Sequence, residues 1–264
     1  MFPIRDHNPS NSTPFVTYAL IAVNVVVFLS YWPGAGDGRA VMGFFDTWAM
    51  HPNRISSGVG WHTLFSSMFL HGGWMHLIGN MLFLWIFGDN LEDRMGHGRF
   101  LLFYLASGLG AGLAHVLAAP YSAVPTVGAS GAIAGVMGGY LLLFPRAKVD
   151  ILFIFLIFFR VFSVPAWLML GAWFGLQLLN GVGADPATGG VAYWAHAGGF
   201  VIGLVLCLPL FLRLGGPAFW GRTHGRPPHP EARYATMRSR IPTVRRKTVR
   251  RESASAIPII HRKK

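Results

Sequence analysis

The chain has 264 residues, 53% of them hydrophobic and only 12% charged. That balance excludes an ordinary soluble domain and a disordered chain, and the length suits one membrane bundle. A single cysteine, Cys207, excludes an internal disulfide framework; the formal charge of +12 does not mark a nucleic-acid groove, because 14 of the 22 Lys and Arg lie from Arg213 onward.

Residues 1–13 form a short N-terminal segment ahead of the first apolar run. Span one is expected at 14–32, with Thr13 as N-cap and Pro14 as first helical residue. It has no cationic n-region and no small-residue cleavage site, so it reads as an uncleaved anchor. The long connection 33–72 carries Trp48, Trp61 and the amphipathic patch "WHTLFSSMFLH". Those features suit a loop partly embedded in the interface. Further spans are expected at 73–89, 100–118, 128–144, 164–181 and 194–214. The apolar run 149–162 reads either as an interfacial segment or as a lead-in to span five. Residues 215–264, rich in Arg, Pro and Ser, read as a basic disordered tail able to lie on anionic lipid. The expected fold is therefore all-α, a six-transmembrane-helix bundle over residues 14–214.

Orientation follows from charge. Arg94, Arg99, Arg146 and Lys148 follow spans two and four, and the tail after span six is strongly basic. The loops after spans one, three and five hold only Arg39 and Arg54. The positive-inside rule puts both termini in the cytoplasm of a multi-pass plasma-membrane protein.

On that topology spans two, four and six all start on the outer side. Ser130 opens span four, His196 stands near the start of span six, and His76 and Asn80 share one face of span two at i, i+4. Span four is about 25 Å long against about 30 Å of hydrocarbon, which sinks Ser130 below the outer surface. A polar cluster at such a depth needs a water-filled cavity walled by protein and is a functional hypothesis by default. Gly131, Gly135 and Gly139 give span four a bare stripe, and Gly199 and Gly203 give span six another. Small-xxx-small stripes let backbones approach closely, which would bring Ser130 to His196. The chemistry is then acyl transfer: Ser130 as nucleophile, His196 as base, and Asn80 with His76 as oxyanion donors beside the helix N-terminus. Asp89, Glu92 and Asp93 map to the opposite side, so the expectation is a Ser–His dyad without a carboxylate, its imidazole oriented by packing.

The segments "GASGAIAG", "AHAGGFVIG" and "HGGWMHLIGNMLFLWIFGDNLEDRMG" resemble the three motifs of the rhomboid intramembrane serine proteases, bacterial six-helix type. The likeness runs over residues 15–214, with G-x-S-G, A-H-x-x-G-x-x-x-G and H-x-x-x-N in the family's order. It implies Ser130 as nucleophile, His196 as base, and His76 and Asn80 on the oxyanion side. It also implies a structural turn at Glu92, Arg94 and Gly96, a gate role for "VPAWLMLGAWFGLQLLNG", transmembrane protein substrates and no cofactor. Some members stack an aromatic four residues after the serine on the histidine; here that residue is Ala134.

Other readings stay open on the residues alone. His71, His76 and His196 could form a metal site, although H-E-x-x-H is absent and metal is not expected. A non-catalytic rhomboid-like protein that escorts membrane helices would usually lack the serine or the histidine. A channel would carry polar residues across the full thickness, whereas the inner halves of spans four and six are apolar. His115 reads as a packing residue, and Trp74 and Trp194 as interface anchors.

Overall fold

The computed structural model describes residues 2–8, 10–32, 38–155, 158–185 and 189–227. They belong to a compact unit running from Met1 to Pro230. The basic stretch 228–264, most of the expected tail, lies outside the described residues.

A helix occupies each of the six expected spans. They are α1 (Phe15–Tyr31), α5 (Trp74–Met95), α6 (His97–Ala118), α7 (Ser130–Leu143), α8 (Ala166–Gly183) and α9 (Tyr193–Arg213). Of these, α6 and α9 are long and apolar enough to cross a membrane by that test alone; α1 and α7 are shorter apolar helices. The connection after α1 folds into α2 (Gly38–Trp48), α3 (Pro52–Ser56), α4 (Thr63–Ser66) and a 3-10 turn. Helix α2 buries none of its residues. A short α10 (Pro217–Thr223) follows α9, and its Trp220 indole N–H donates to the Leu142 carbonyl at the end of α7 (2.9 Å).

Helix α7 is the axis of the bundle. Eleven of its fourteen residues are buried, as expected of a helix that is apolar all round. Gly131 and Gly135 turn their bare side to Ala111 and Ser107 of α6, while the closest backbone contacts are made at Gly138, Gly199 and Gly203. A Cβ on Gly199 or Gly203 would strike the backbone of Gly131 or Gly135, and one on Gly138 would strike that of Phe200. The α9 stripe thus lies on the α7 backbone at Gly131 and Gly135, and the bare side of those two residues lets α6 close in from another direction, which accounts for the glycine spacing in both segments.

The turn that the motif places after span two has a clear physical role. Helix α5 runs a turn and a half past its expected end, and Gly96, at φ +79°, reverses the chain directly into α6. The fully buried Glu92 carboxylate accepts from the backbone N–H groups of Val16 and Thr17 (2.8 Å each) and the Thr17 hydroxyl (2.7 Å). It therefore supplies the acceptor that the start of α1 lacks, with no capping side chain at Pro14 itself.

The all-α expectation needs one correction. The run 149–162, expected as an interfacial segment or a lead-in to span five, is extended rather than helical among its described residues. They lie in a β-hairpin, β2 (Lys148–Phe155) and β3 (Phe158–Pro165), and the N-terminal segment adds a third antiparallel strand, β1 (Phe2–Asp6). The register pairs Phe2 with Leu152, Asp6 with Val149, and Lys148 with Pro165. Asp150, almost fully buried, gathers Arg5 Nε and His7 Nε2 (2.7 Å each) and the Ser163 hydroxyl. Close by, the Tyr140 hydroxyl of α7 donates to Asp6 (2.9 Å) and accepts from the Asn8 amide (2.8 Å). Asn90 on α5 donates to Asp6 (3.2 Å) and to the Asn8 carbonyl (2.9 Å). The strand that completes the sheet comes from more than 140 residues away, so its partner is invisible to local periodicity.

Two predictions follow from this packing. Gly203→Ala should lower stability in detergent by about 1–3 kcal/mol, because the added methyl meets backbone that has no rotamer to relax. Gly171→Ala, where nothing lies within 4 Å, should be neutral or slightly stabilising. Thermal unfolding of the two variants checks this, and equal melting temperatures would refute the close α7–α9 approach. Burial opposes ionisation of Asp150, but the hydrogen bonds from Ser163, Arg5 and His7 outweigh it and hold its pKa at about 2, below the ordinary 3.8. The cluster's stabilisation is thus complete above about pH 4 and lost as pH falls through about 2. Asp150→Asn should lose that stabilisation at neutral pH and flatten the acid limb of the melting-temperature profile.

Candidate active site

The loop before α7 is pinned on both sides. Met50 and Thr126 exchange backbone hydrogen bonds (3.1 and 2.8 Å), and the Gly128 N–H donates to the Ser67 carbonyl (2.9 Å). Gly128 takes φ +131°, and α7 begins two residues later at Ser130. A side chain at 128 would stand 2.8 Å from His76 Nε2 and 3.4 Å from Ser130 Oγ, so this glycine keeps the space beside the serine open.

On the facing helix, α9 starts at Tyr193, which puts His196 in its first turn at the level of Ser130. His196 Nε2 and Ser130 Oγ are 2.8 Å apart. Both line a cavity of about 1030 Å³, together with His76, Asn80, His115 and Trp194. The Gly72 N–H donates to His76 Nδ1 (3.3 Å), so the neutral ring carries its proton on Nε2, the nitrogen beside Gly128. The Asn80 amide nitrogen is buried and has no hydrogen-bond partner, so a donor stands ready in the cavity wall.

The structure therefore brings Ser130, His196, His76 and Asn80 to one cavity. His71 is fully buried behind it, its ring 5.1 Å from that of His76 and its backbone N–H and C=O both bonded to the Tyr31 hydroxyl (2.7 Å each). Trp74 packs edge-on against Phe28 of α1 (4.9 Å), while Trp194, expected only as an interface anchor, faces the cavity. Among the described residues, no three His, Cys, Asp or Glu side chains come together closely enough to hold a metal ion.

Two features escaped the sequence reading. His196 is held by more than packing: its Nδ1 lies 2.9 Å from Gln177 Oε1, and the Trp173 ring flanks it at 5.7 Å and 32°. Both side chains come from α8, so α8 supplies the contact that an aromatic at position 134 would give from α7; the only signal was a glutamine in a stretch otherwise apolar but for Asn180. Asp185, after α8, also lines the cavity, so a carboxylate does stand at the candidate site, where the sequence reading had none.

A family model described as the Rhomboid domain matches residues 59–213, which contain all four cavity residues and both facing glycine stripes. The chain belongs to the rhomboid family. The rhomboid chain is similar to the Rhomboid protease GluP of Bacillus subtilis (strain 168), with 37% identity over 133 residues, 50% of this chain and 25% of the relative. It is 32% identical to Rhomboid protein 1, mitochondrial, of Saccharomyces cerevisiae over 197 residues, 72% of this chain and 51% of that one. It is 33% identical to the putative rhomboid protease YdcA of Bacillus subtilis over 128 residues, 48% and 61% of the two chains. The match thus spans a quarter to about half the length of the first two relatives. The rhomboid family is membrane-embedded, and so is this chain.

Proposed function

We propose that this rhomboid is an intramembrane serine endopeptidase that cleaves transmembrane segments of other proteins through a Ser130–His196 dyad. The observation that carries this reading is the 2.8 Å approach of the hydroxyl to the imidazole inside a cavity shared with two further polar side chains. In this reading all six apolar helices cross the bilayer, both termini are cytoplasmic, and the membrane is the plasma membrane. The domain boundaries follow: 1–13, the membrane domain 14–214, and a basic tail from 215 able to rest on anionic lipid.

The chemistry runs as follows. His196 Nε2 accepts the Ser130 proton as Oγ attacks the peptide carbonyl. The carbonyl π electrons move onto oxygen, and the negative charge faces the Asn80 amide, His76 Nε2–H and the positive end of α7. Collapse expels the amine, which takes the proton from His196, and leaves an acyl group on Ser130. Water then attacks, with His196 as base, and releases the acid. Three donors from two helices act only when an oxyanion has formed, so they favour the transition state over the bound peptide. Membrane burial makes each donor more effective, because bulk water is excluded from the walls.

Ser130→Ala should abolish cleavage of a model transmembrane substrate in proteoliposomes while leaving the melting temperature close to wild type. Retained cleavage would end the serine mechanism. Asn80→Ala should cut kcat about 100- to 1,000-fold with little change in KM, since it removes one oxyanion donor. A wild-type kcat would remove Asn80 from that role.

A further inference from the structure

Helix α8 touches the bundle along a thin seam. Its buried residues are Ala166, Leu170, Gln177 and Gly181, and all but Gln177 are small or aliphatic. On either side of Gln177 the chain is exposed: Leu176, Leu178 and Leu179 face outward. A buried glutamine there costs desolvation of a primary amide unless both its ends are bonded. Both ends are. The Nε2 amine donates to the Trp173 carbonyl one turn earlier (3.3 Å), and Oε1 lies 2.9 Å from His196 Nδ1.

This pairing selects one amide orientation and, for a neutral ring, one tautomer. A backbone carbonyl can only accept, so the amide end facing Trp173 must be the NH2 end. Rotating the amide by half a turn would set its oxygen against the Trp173 oxygen. The end facing His196 is therefore the amide oxygen, which can only accept. His196 must then carry its neutral proton on Nδ1, and Nε2 is left with a lone pair aimed at Ser130 Oγ. The other tautomer would set lone pair against lone pair at Gln177 and would make Nε2 a donor to Ser130 Oγ, unable to take its proton.

We propose that Gln177 is the positioning residue of the dyad, and that it makes the dyad's competence conditional on α8 being docked against α9. The inference rests on the serine-endopeptidase reading for its consequence, but the tautomer it fixes does not depend on that reading. Gln177 belongs to α8 while Ser130 and His196 belong to α7 and α9. When α8 lies in its seam, His196 is oriented by an acceptor on one side and the Trp173 ring on the other. When α8 swings away, both supports leave together, and the imidazole is free to rotate and to change tautomer. The base is armed by closure of the same helix whose displacement would widen the cavity.

The experiment has two arms. In the first, the full chain carrying 15N-labelled histidine is studied in micelles, with His196 assigned by comparison with His196→Phe. Wild type should show a single Nδ1–H tautomer for His196, and Gln177→Leu a mixture. Gln177→Glu, which keeps an acceptor oxygen at the same reach, should keep the wild-type pattern. A single Nδ1–H tautomer in Gln177→Leu would overturn the proposal. This arm decides the matter even if the protein cleaves nothing.

The second arm measures function. Gln177→Leu should lower kcat about 10- to 100-fold with KM within about twofold, the scale expected for a group that orients a general base rather than binding substrate. Gln177→Glu should recover most of that loss, and a loss shared equally by both variants would point to packing alone and overturn the proposal. A Cβ at Gly181 would lie 3.4 Å from that of Tyr193, close to disulfide reach, so a Gly181→Cys/Tyr193→Cys pair can lock α8 to α9. Oxidation should raise or preserve Ser130 labelling by a small fluorophosphonate while slowing cleavage of a transmembrane substrate. Loss of labelling on locking would show that docking disarms the dyad and would overturn the proposal. Absence of Ser130 labelling in wild type, with the Nδ1–H tautomer intact, would instead defeat the serine-endopeptidase reading and leave the hold of Gln177 on the ring standing.

Discussion

Two helix backbones pressed together without side chains between them set the distance on which everything else depends. Gly131 and Gly135 on α7 meet Gly199 and Gly203 on α9. In a bilayer there is no hydrophobic gain in bringing two apolar helices together, so close van der Waals contact must supply the attraction. That contact also has a geometric effect. With the axes this close, a serine at the head of one helix and a histidine in the first turn of the next reach each other at 2.8 Å. Any methyl inserted lower in the stripe acts as a wedge under the pair.

Around that contact the polar groups are arranged by two other elements, each with its own constraint. Helix α5 contributes His76 and Asn80 from one face. Its far end holds Glu92, which anchors the start of α1. The position of the proposed oxyanion donors is thus tied to a buried carboxylate at the other end of the same helix. Helix α8 contributes Gln177 and Trp173 and is the least embedded of the four. The proposed nucleophile and base sit on the two helices that press backbone to backbone, while the group proposed to orient the base sits on the least embedded of the four.

Much of this was legible from residues. The i, i+4 spacing of His76 and Asn80, the glycine stripes, and the places of Ser130 and His196 at the heads of their helices all follow from helical periodicity in apolar segments, where a polar residue stands out. What escaped has physical causes. Gln177 is one of two polar residues in α8, and the spacing rule does not distinguish it from Asn180, which is exposed. Only the rotation of α8 against α9 decides which of them turns inward. The hairpin of β2 and β3 is too apolar to show the alternation of a half-solvated strand, so its period is hidden, and the strand that completes the sheet lies near the N-terminus, more than 140 residues away. Asp185 follows α8 in a loop, where periodicity gives no direction at all.

The mooring of α7 at both ends has a mechanical consequence. At its head, the preceding loop is stitched to Met50 and Ser67; near its tail, Tyr140 is bonded to Asp6 and Asn8 of the N-terminal segment. A rod fixed at two points and gripped along its length transmits load but scarcely bends. Of the helices that carry the cavity residues, α8 has the fewest buried residues and so resists displacement least. Residues 2–8, far from the cavity in sequence, thereby act as ballast for the serine.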